Sequence, residues 1–371
     1  MWHLNRNSHP YAMHDGIIAE PAAFAAVVRE TTGKSPAFSG MLSEAREILV
    51  VGASTSLYAG QFAQYLSWEI LRQQRVTVLS SIDFVNFFPP ISPSSVGICV
   101  SHRGTERYTS LAVERFVKLG VRCIYVVGRN ADLAHLPAQG FEILETTPQE
   151  QSPAHTWSYV GSMAVLCALL QSLNPEHPLL EPRLLENGVP DALRIMLGSE
   201  DIMKKVAGDC TRARKIWIIG SGSDAIIARE AALKIVETSY LVAQGYDLEE
   251  AIQGPLQGAE TSDVFILLNL CDRLTDRMDA LIEALDSFNI RPIVFSWAPD
   301  FESGESTKVV VNQVGTWINL PKKLPYPYSS LQALIPLQFF AYYLAIECGR
   351  HPDSFRLDEE PYRLGRQKLR G

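Results

Sequence analysis

From Ile48 onward, short apolar runs alternate with longer stretches whose apolar residues recur at helical spacing. Ile48–Val51 reads as a strand ending in Gly52-Ala53-Ser54-Thr55-Ser56, and Leu57–Arg72 follows as a helix. Val76–Leu79, Val96–Val100 and Cys123–Val127 are further strands, with a helix over Arg107–Leu119. Strands alternating with helices predict a parallel sheet covered on both faces. The pattern then restarts. Lys215–Ile219 is a strand ending in Gly220-Ser221-Gly222-Ser223-Asp224, and Ala225–Ser239 is the next helix. Leu241–Ala243, Val264–Leu268, Ile293–Trp297 and Val309–Val311 are strand candidates, with a helix over Asp276–Phe288. Strand, Gly/Ser loop and helix thus occur twice, Gly52 and Gly220 lying 168 positions apart. We read two copies of one domain. Tyr11–Glu30 reads as an amphipathic helix packed on the body, and the Pro- and Glu-rich stretch Asn174–Pro190 as the linker. The expected division is a peripheral segment 1–30, domains over 31–185 and 195–348, and a tail 349–371.

The chain has 371 residues, 47% hydrophobic and 20% charged, which suits two cores of ordinary size. Its net charge is −8 and it has no basic stripe, which argues against nucleic acid as a partner. An acidic protein that binds an anion must do so through local donors. Six cysteines are scattered without a Cys-x-x-Cys pair, as expected of core residues in a reducing compartment. The eight histidines show no metal-ligand spacing, so no metal or cofactor is expected. The start of the chain lacks the order of a signal peptide. Ala333–Cys348 is apolar, yet it is short and interrupted by Pro336, Gln338 and Glu347. It reads as a buried helix, with no membrane partner, and the expected location is the cytoplasm.

A strand that ends in small hydroxyl residues and opens a helix leaves backbone N–H groups that favour an anion. Ser54, Thr55 and Ser56 add hydroxyl donors without bulk, or one of them merely caps the helix. A second loop, Ser101-His102-Arg103-Gly104-Thr105-Glu106, stands in the same position after Val96–Val100. It supplies hydroxyls, a Gly that allows close approach, and an Arg suited to phosphate. In an open parallel sheet ligands sit outside the carboxyl ends of the strands, so the two loops can converge on one phosphate. Neither is a Walker A or a complete Gly-x-Gly-x-x-Gly, which disfavours a nucleotide.

The helix Ala225–Ser239 carries Glu230, Lys234 and Glu237 within a sector of roughly 60° in an otherwise apolar segment. A solvent-facing helix has a broader polar face. The narrow stripe points either to a cleft where a carboxylate moves protons or to a surface Glu–Lys pair.

These residues resemble the sugar isomerase (SIS) superfamily, and specifically the tandem-SIS isomerase half of glucosamine-6-phosphate synthase, over nearly the whole chain. Gly52–Gly60 resembles that family's first phosphate loop and Ser101–Thr109 its Ser-Gln-Ser-Gly-Glu-Thr loop. Glu230–Tyr240 and Gln244–Leu256 resemble the catalytic-glutamate and Glu-Leu-Lys-His-Gly-Pro segments, and Ile335–Gly349 the Pro-Leu-Gln helix. The resemblance implies an α/β fold of two tandem SIS domains. Each is expected to be a five-stranded parallel sheet flanked by helices, a three-layer flavodoxin- or Rossmann-like sandwich, with the tail closing the site. It places Glu237 on the proton-transfer glutamate, with Glu230 and Lys234 as its neighbours. Ala154 and His155 fall at a substrate-contacting position.

Several positions depart from that pattern. Gln253 stands where the family has its ring-opening histidine, and Glu360 where it has the Schiff-base lysine. His102 and Arg103 replace Gln and Ser, and Thr105-Glu106 reverses Glu-Thr, so that Glu106 would oppose a phosphate beside it. His102 and His155 are candidates for the lost acid role. The resemblance therefore implies an isomerase, deaminase or deglycase acting on an amino sugar phosphate or fructosamine phosphate, without a glutaminase. The alternative is a sugar-phosphate-binding regulator without turnover. A homodimer is implied because the turn matching Gln253 reaches the neighbouring subunit's site in the relatives.

Overall fold

The structure, a computed structural model, describes residues 6–88, 90–297, 307–321 and 324–369. The described chain divides into two compact units, one of Ala19–Glu150 and Thr156–Leu193, the other of residues up to Ile18, Gln151–His155 and the chain from Arg194. The helix α1 (Ala12–Lys34) is shared between them.

The first unit continues with α2 (Pro36–Ser43), β1 (Glu47–Gly52), α3 (Thr55–Ile70), β2 (Arg75–Ser80), α4 (Ser81–Asn86) and β3 (Ser95–Val100). It ends with α5 (Arg107–Lys118), β4 (Cys123–Arg129), β5 (Glu142–Pro148), α6 (Trp157–Leu173) and the start of α7 (Val189–Met196). Its five strands are all parallel, in the order β2-β1-β3-β4-β5. Leu49 and Val51 of β1 join Phe84, Cys99, Phe116 and Tyr125 in one core layer. Ile48 and Val50 face the other way, toward Ala63, Leu166 and Leu169. Both faces are covered, so the central strands read as continuous apolar runs. The strand order reverses between β1 and β3, where Gly52 pairs with Val100, so the loops after these strands start side by side.

The second unit contains α8 (Glu200–Asp209), β6 (Ile216–Gly220), α9 (Ser223–Ser239), β7 (Ala243–Asp247), α10 (Leu248–Ile252), β8 (Val264–Leu268) and α11 (Thr275–Ser287). β9 (Ile293–Trp297), β10 (Lys308–Val311), β11 (Thr316–Leu320), α12 (Leu334–Glu347) and α13 (Glu360–Leu369) complete it. Its sheet runs β10-β11-β9-β8-β6-β7 and has six strands, with β10 antiparallel to β11. This corrects the expectation of five parallel strands. The Val309–Val311 run is an exposed edge and not the fifth parallel strand, a place taken by β11. β7 begins where the expected Leu241–Ala243 strand ends, because Tyr240 adopts a left-handed φ of 65° and the chain turns before pairing. The edge strand β5, and β11 one place in from the edge, carry too many polar residues to stand out as apolar runs. α12 is a core helix, the window Tyr328–Glu347 being 94% buried.

The loops after β1 and β6 have the same turn. Ser54 has φ 53° and ψ −129°, and Gly222 has φ 60° and ψ −125°. A Cβ at Gly220 would lie 2.7 Å from the Asp224 backbone, so the start of each helix folds back closely over its strand end. Gly suits this conformation, whereas Ser54 holds a side chain in a region reserved almost entirely for glycine. Asp224 is fully buried and ties this loop to its surroundings. It accepts from the backbone N–H groups of Leu270 and Cys271 at 3.0 and 3.1 Å and from Ser330 Oγ at 2.5 Å.

Two outcomes are expected. Ser54→Gly should raise the stability of the first unit by about 1 kcal/mol, since relief of backbone strain exceeds the entropy cost of glycine. Chemical denaturation checks this, and an unchanged or lower midpoint contradicts it. Burial pushes the Asp224 carboxyl up to about 7, against the hydrogen bonds from Ser330, Leu270 and Cys271 that favour the anion. Its proton is thus held more tightly folded than unfolded. The stability this contributes is complete below about pH 4 and is lost as pH rises through 7. Asp224→Asn should flatten the melting temperature between pH 4 and 7, and an unaltered slope would assign it to other groups.

Candidate functional site

In the first unit, α3 opens without a side-chain cap: Ser54 is exposed and makes no capping hydrogen bond. Thr55 and Ser56 are half-buried on the first turn. This helix end has the composition and dipole that favour an anion. The neighbouring loop is held from below. Gly104 takes φ 74°, its N–H donates to Ser101 O at 2.9 Å, and its carbonyl accepts from Tyr125 Oη at 3.0 Å. Burial pushes the Tyr125 phenol far up, so it stays a donor. Arg103 is half-buried and Thr105 exposed.

Two residues of this loop do something other than expected. His102 is buried, and its Nε2 accepts the Glu150 backbone N–H at 3.1 Å. Its backbone carbonyl accepts from Gly128 N at 2.7 Å and Gln149 Nε2 at 3.1 Å. The ring braces the strand ends, and the lone pair it would need for acid–base work is already engaged. Glu106 caps α5. Its Oε1 accepts from Tyr108 N at 3.1 Å, and its Oε2 accepts from Thr109 N and Thr109 Oγ1 at 2.6 Å. The carboxylate therefore occupies the helix end that would otherwise draw an anion. Charge at this sheet edge is left to the α3 end and Arg103.

Sequence reasoning missed Glu150. It is buried and receives the N–H and hydroxyl groups of both Thr156 and Ser158, capping α6 from six residues upstream. No local capping pattern signals it, because the contact needs the intervening chain to double back.

In the second unit the corresponding loop is filled by the protein itself. Tyr326 Oη accepts the Ser223 N–H at 3.3 Å, and Ser223 and Ser330 share a hydrogen bond of 2.5 Å. Ala154 and His155 belong to this unit, with Ala154 buried and its N–H donating to Ser152 Oγ at 3.2 Å.

The stripe on α9 is not a surface pair. Glu230 and Lys234 are 0% exposed, and only Glu237, at 21% side-chain exposure, reaches outward. Lys234 Nζ lies 2.7 Å from Glu237 Oε2 and 3.4 Å from Glu230 Oε1. A buried ammonium is tolerated only when paired in this way. Two carboxylates flank one ammonium, and Glu237 is the member of the three that reaches outward. α9 packs on β6, β7 and α12, and the turn after β6 aims it. An Arg229–Glu250 pair at 3.5 Å lies farther out.

Gln253 and Glu360 are not gathered with the stripe. Gln253 is exposed and donates to Glu249 Oε1 at 2.5 Å, while Glu249 also pairs with Arg277 at 2.9 Å. Glu360 is exposed at the start of α13, and Lys368 is exposed near its end.

Residues 210–311 match the sequence model of the SIS domain. Glutamine–fructose-6-phosphate aminotransferase (isomerizing) of Clostridium tetani is 25% identical over 323 residues, which is 85% of this chain and 51% of that protein. The Leifsonia xyli protein of the same name is 27% identical over 84% of this chain and 50% of its own length. The chain thus spans about half the length of these relatives. Among solved structures, the C-terminal domain of glucosamine-fructose-6-phosphate aminotransferase from Francisella tularensis superposes with a TM-score of 0.78 at 16% identity, covering 94% of this chain and 99% of that one. Tagatose-6-phosphate ketose/aldose isomerase from Escherichia coli gives a TM-score of 0.77 at 17% identity, covering 96% and 98%. At such identities the superpositions establish the fold. Residues 210–311 thus match the SIS domain, and the chain is similar over most of its length to the C-terminal domain of glucosamine-fructose-6-phosphate aminotransferase.

Proposed function

We propose that this chain is an enzyme that isomerises a sugar phosphate, or an amino sugar or fructosamine phosphate, by moving a proton between C1 and C2 of the open-chain form. The observation that carries this reading is the buried Lys234 between Glu230 and Glu237, with Glu237 alone reaching outward. Glu237 is the base: it takes the proton from one carbon, leaving an enediol or enolamine, and returns it to the other. Lys234 aims that carboxylate through the 2.7 Å contact, and Glu230 balances the lysine. A positioned side chain of this kind contributes about 10²–10⁴ in rate. Within the first unit, Ser54, Thr55 and Ser56, with Ser101, Arg103, Gly104 and Thr105, are the residues suited to a phosphate. His102 and Glu106 serve these loops indirectly, as brace and cap.

Glucosamine-6-phosphate deaminase from Thermotoga maritima shares the fold at a TM-score of 0.66, covering 89% of this chain and 96% of that one, with 16% identity. It and the ketose/aldose isomerase support a reaction that needs no ammonia from glutamine. Gln253 and Glu360 support the same choice, since neither offers the acid or amine of full synthase chemistry. The exposed position of Gln253 is consistent with a homodimer in which this turn serves a second copy. The free cysteines fit a reducing cytoplasm.

Incubation with hexose, hexosamine and fructosamine phosphates, while following ketose and ammonia, tests turnover. Glu237→Gln should lower kcat by about 10²–10⁴ with KM little changed, and should abolish solvent-deuterium exchange at C1 or C2. No turnover on any member, with tight sugar-phosphate binding that survives Glu237→Gln, would replace the enzyme by a binding regulator. Lys234→Met should act differently. It strands the buried Glu230 and leaves the partly exposed Glu237 without its partner, and should cost about 3–5 kcal/mol of stability, read by denaturation. A loss below about 1 kcal/mol would mean that Lys234 is not the counter-ion described.

A further inference from the structure

The second unit contains a polar cluster that the proposed chemistry does not use. His9 and His14, expected from their spacing to be unrelated to any metal, meet Glu200 at the start of α8. One ligand atom from each lies within 4.8 Å of the others. His14 Nε2 is 2.8 Å from Glu200 Oε1, and the two imidazoles pack edge to face at 5.0 Å between centroids. A tetrahedral site with bonds of about 2.0–2.1 Å sets its ligand atoms about 3.4 Å apart. Binding therefore needs the side chains to turn from their observed positions, in which the three ligand atoms lie within 4.8 Å of one another.

The surroundings orient all three side chains. Tyr342 Oη lies 2.8 Å from His9 Nδ1 and also accepts the Tyr11 N–H at 3.1 Å. Tyr343 Oη donates to Glu200 Oε1 at 2.5 Å. Tyr343 holds Oε1, which leaves Oε2 as the ligand oxygen, and an ion would displace the proton now shared between His14 Nε2 and Oε1. With Nδ1 of His9 engaged by Tyr342, Nε2 is its ligand nitrogen. The His14 ring is flanked by Phe339 and Tyr342 at 5.9 and 5.5 Å. Outer-shell hydrogen bonds of this kind fix tautomer and ring orientation in metal sites. His9 is exposed, so an ion has a path in.

We propose that His9, His14 and Glu200 bind one divalent transition ion of the zinc class, fastening the start of the chain to α8. Imidazole and carboxylate together suit such an ion better than magnesium or calcium, which take oxygen donors. Lys204, whose Nζ lies 5.4 Å from the Tyr343 ring centroid, is the nearby cation that opposes the ion. The ion closes a loop of 186 residues between His14 and Glu200, so its expected effect is on stability.

The test is titration of the chelator-treated full chain with Zn²⁺ by calorimetry and thermal melting, and with Co²⁺ by absorbance. One equivalent should bind, raise the melting temperature, and give ligand-field bands without a thiolate charge-transfer band. His9→Ala, an exposed substitution that leaves the fold intact, and Glu200→Gln should each weaken binding at least tenfold and remove the thermal shift. Tyr342→Phe should weaken it about tenfold as an outer-shell change. Absence of a one-to-one site, binding unchanged in His9→Ala, or a cobalt–thiolate band would each overturn the assignment.

Discussion

The burial of Lys234 between Glu230 and Glu237 is the constraint around which the second unit is arranged. An ammonium removed from water must find its counter-charges within hydrogen-bonding reach, and both come from the same helix at 2.7 and 3.4 Å. The helix must therefore be buried on every side but one. α9 meets β6 and β7 on its sheet side and α12 on another, leaving Glu237 as the outlet. The turn Gly220–Asp224 launches the helix at the required angle, and buried Asp224 fastens that turn to the end of β8 through Leu270 and Cys271. A charge that is costly to bury thus fixes the position of the one carboxylate that faces outward.

The first unit meets a related problem with the opposite result. Its loop after β1 has the same backbone turn, but Ser54 stands where the second unit has Gly222. The second unit fills its loop with Tyr326 and Ser330. The first unit leaves α3 without a side-chain cap and spends carboxylates at the other helix ends, Glu106 on α5 and Glu150 on α6. A helix N-terminus capped by its own carboxylate no longer attracts an anion. The two loops are alike in path and differ in what they offer: one is filled by Tyr326 and Ser330, and the other opens a helix with no side-chain cap.

Much of this was legible in the chain. The central strands of both sheets are buried on both faces, so they appear as apolar runs. The Gly/Ser turns that follow them are punctuated by small residues, of which Gly222 suits the turn and Ser54 does not. The narrow charged stripe on α9 was visible because three charges at helical spacing stand out in an apolar segment. The strands at the sheet edges, and β11 beside one of them, were less legible. β5, β7 and β11 carry polar residues on a half-covered surface, and β10 carries valines on an exposed one, so hydrophobicity misreports both.

Sequence by itself determined the layered α/β architecture, the two strand–turn–helix starts and the identity of the stripe, because these follow from local periodicity and from residues suited to one backbone conformation. Tertiary structure decided what the polar residues do. Glu106 looked like a charge opposing a ligand and is a cap; His102 looked like an acid and is a brace. His9 and His14 looked unrelated to anything and meet Glu200 across 186 positions from His14. The physical reason is common to all of them. A polar group's role depends on which donors and acceptors the fold brings within about 3 Å, and those partners are set by chain reversals that no local spacing records.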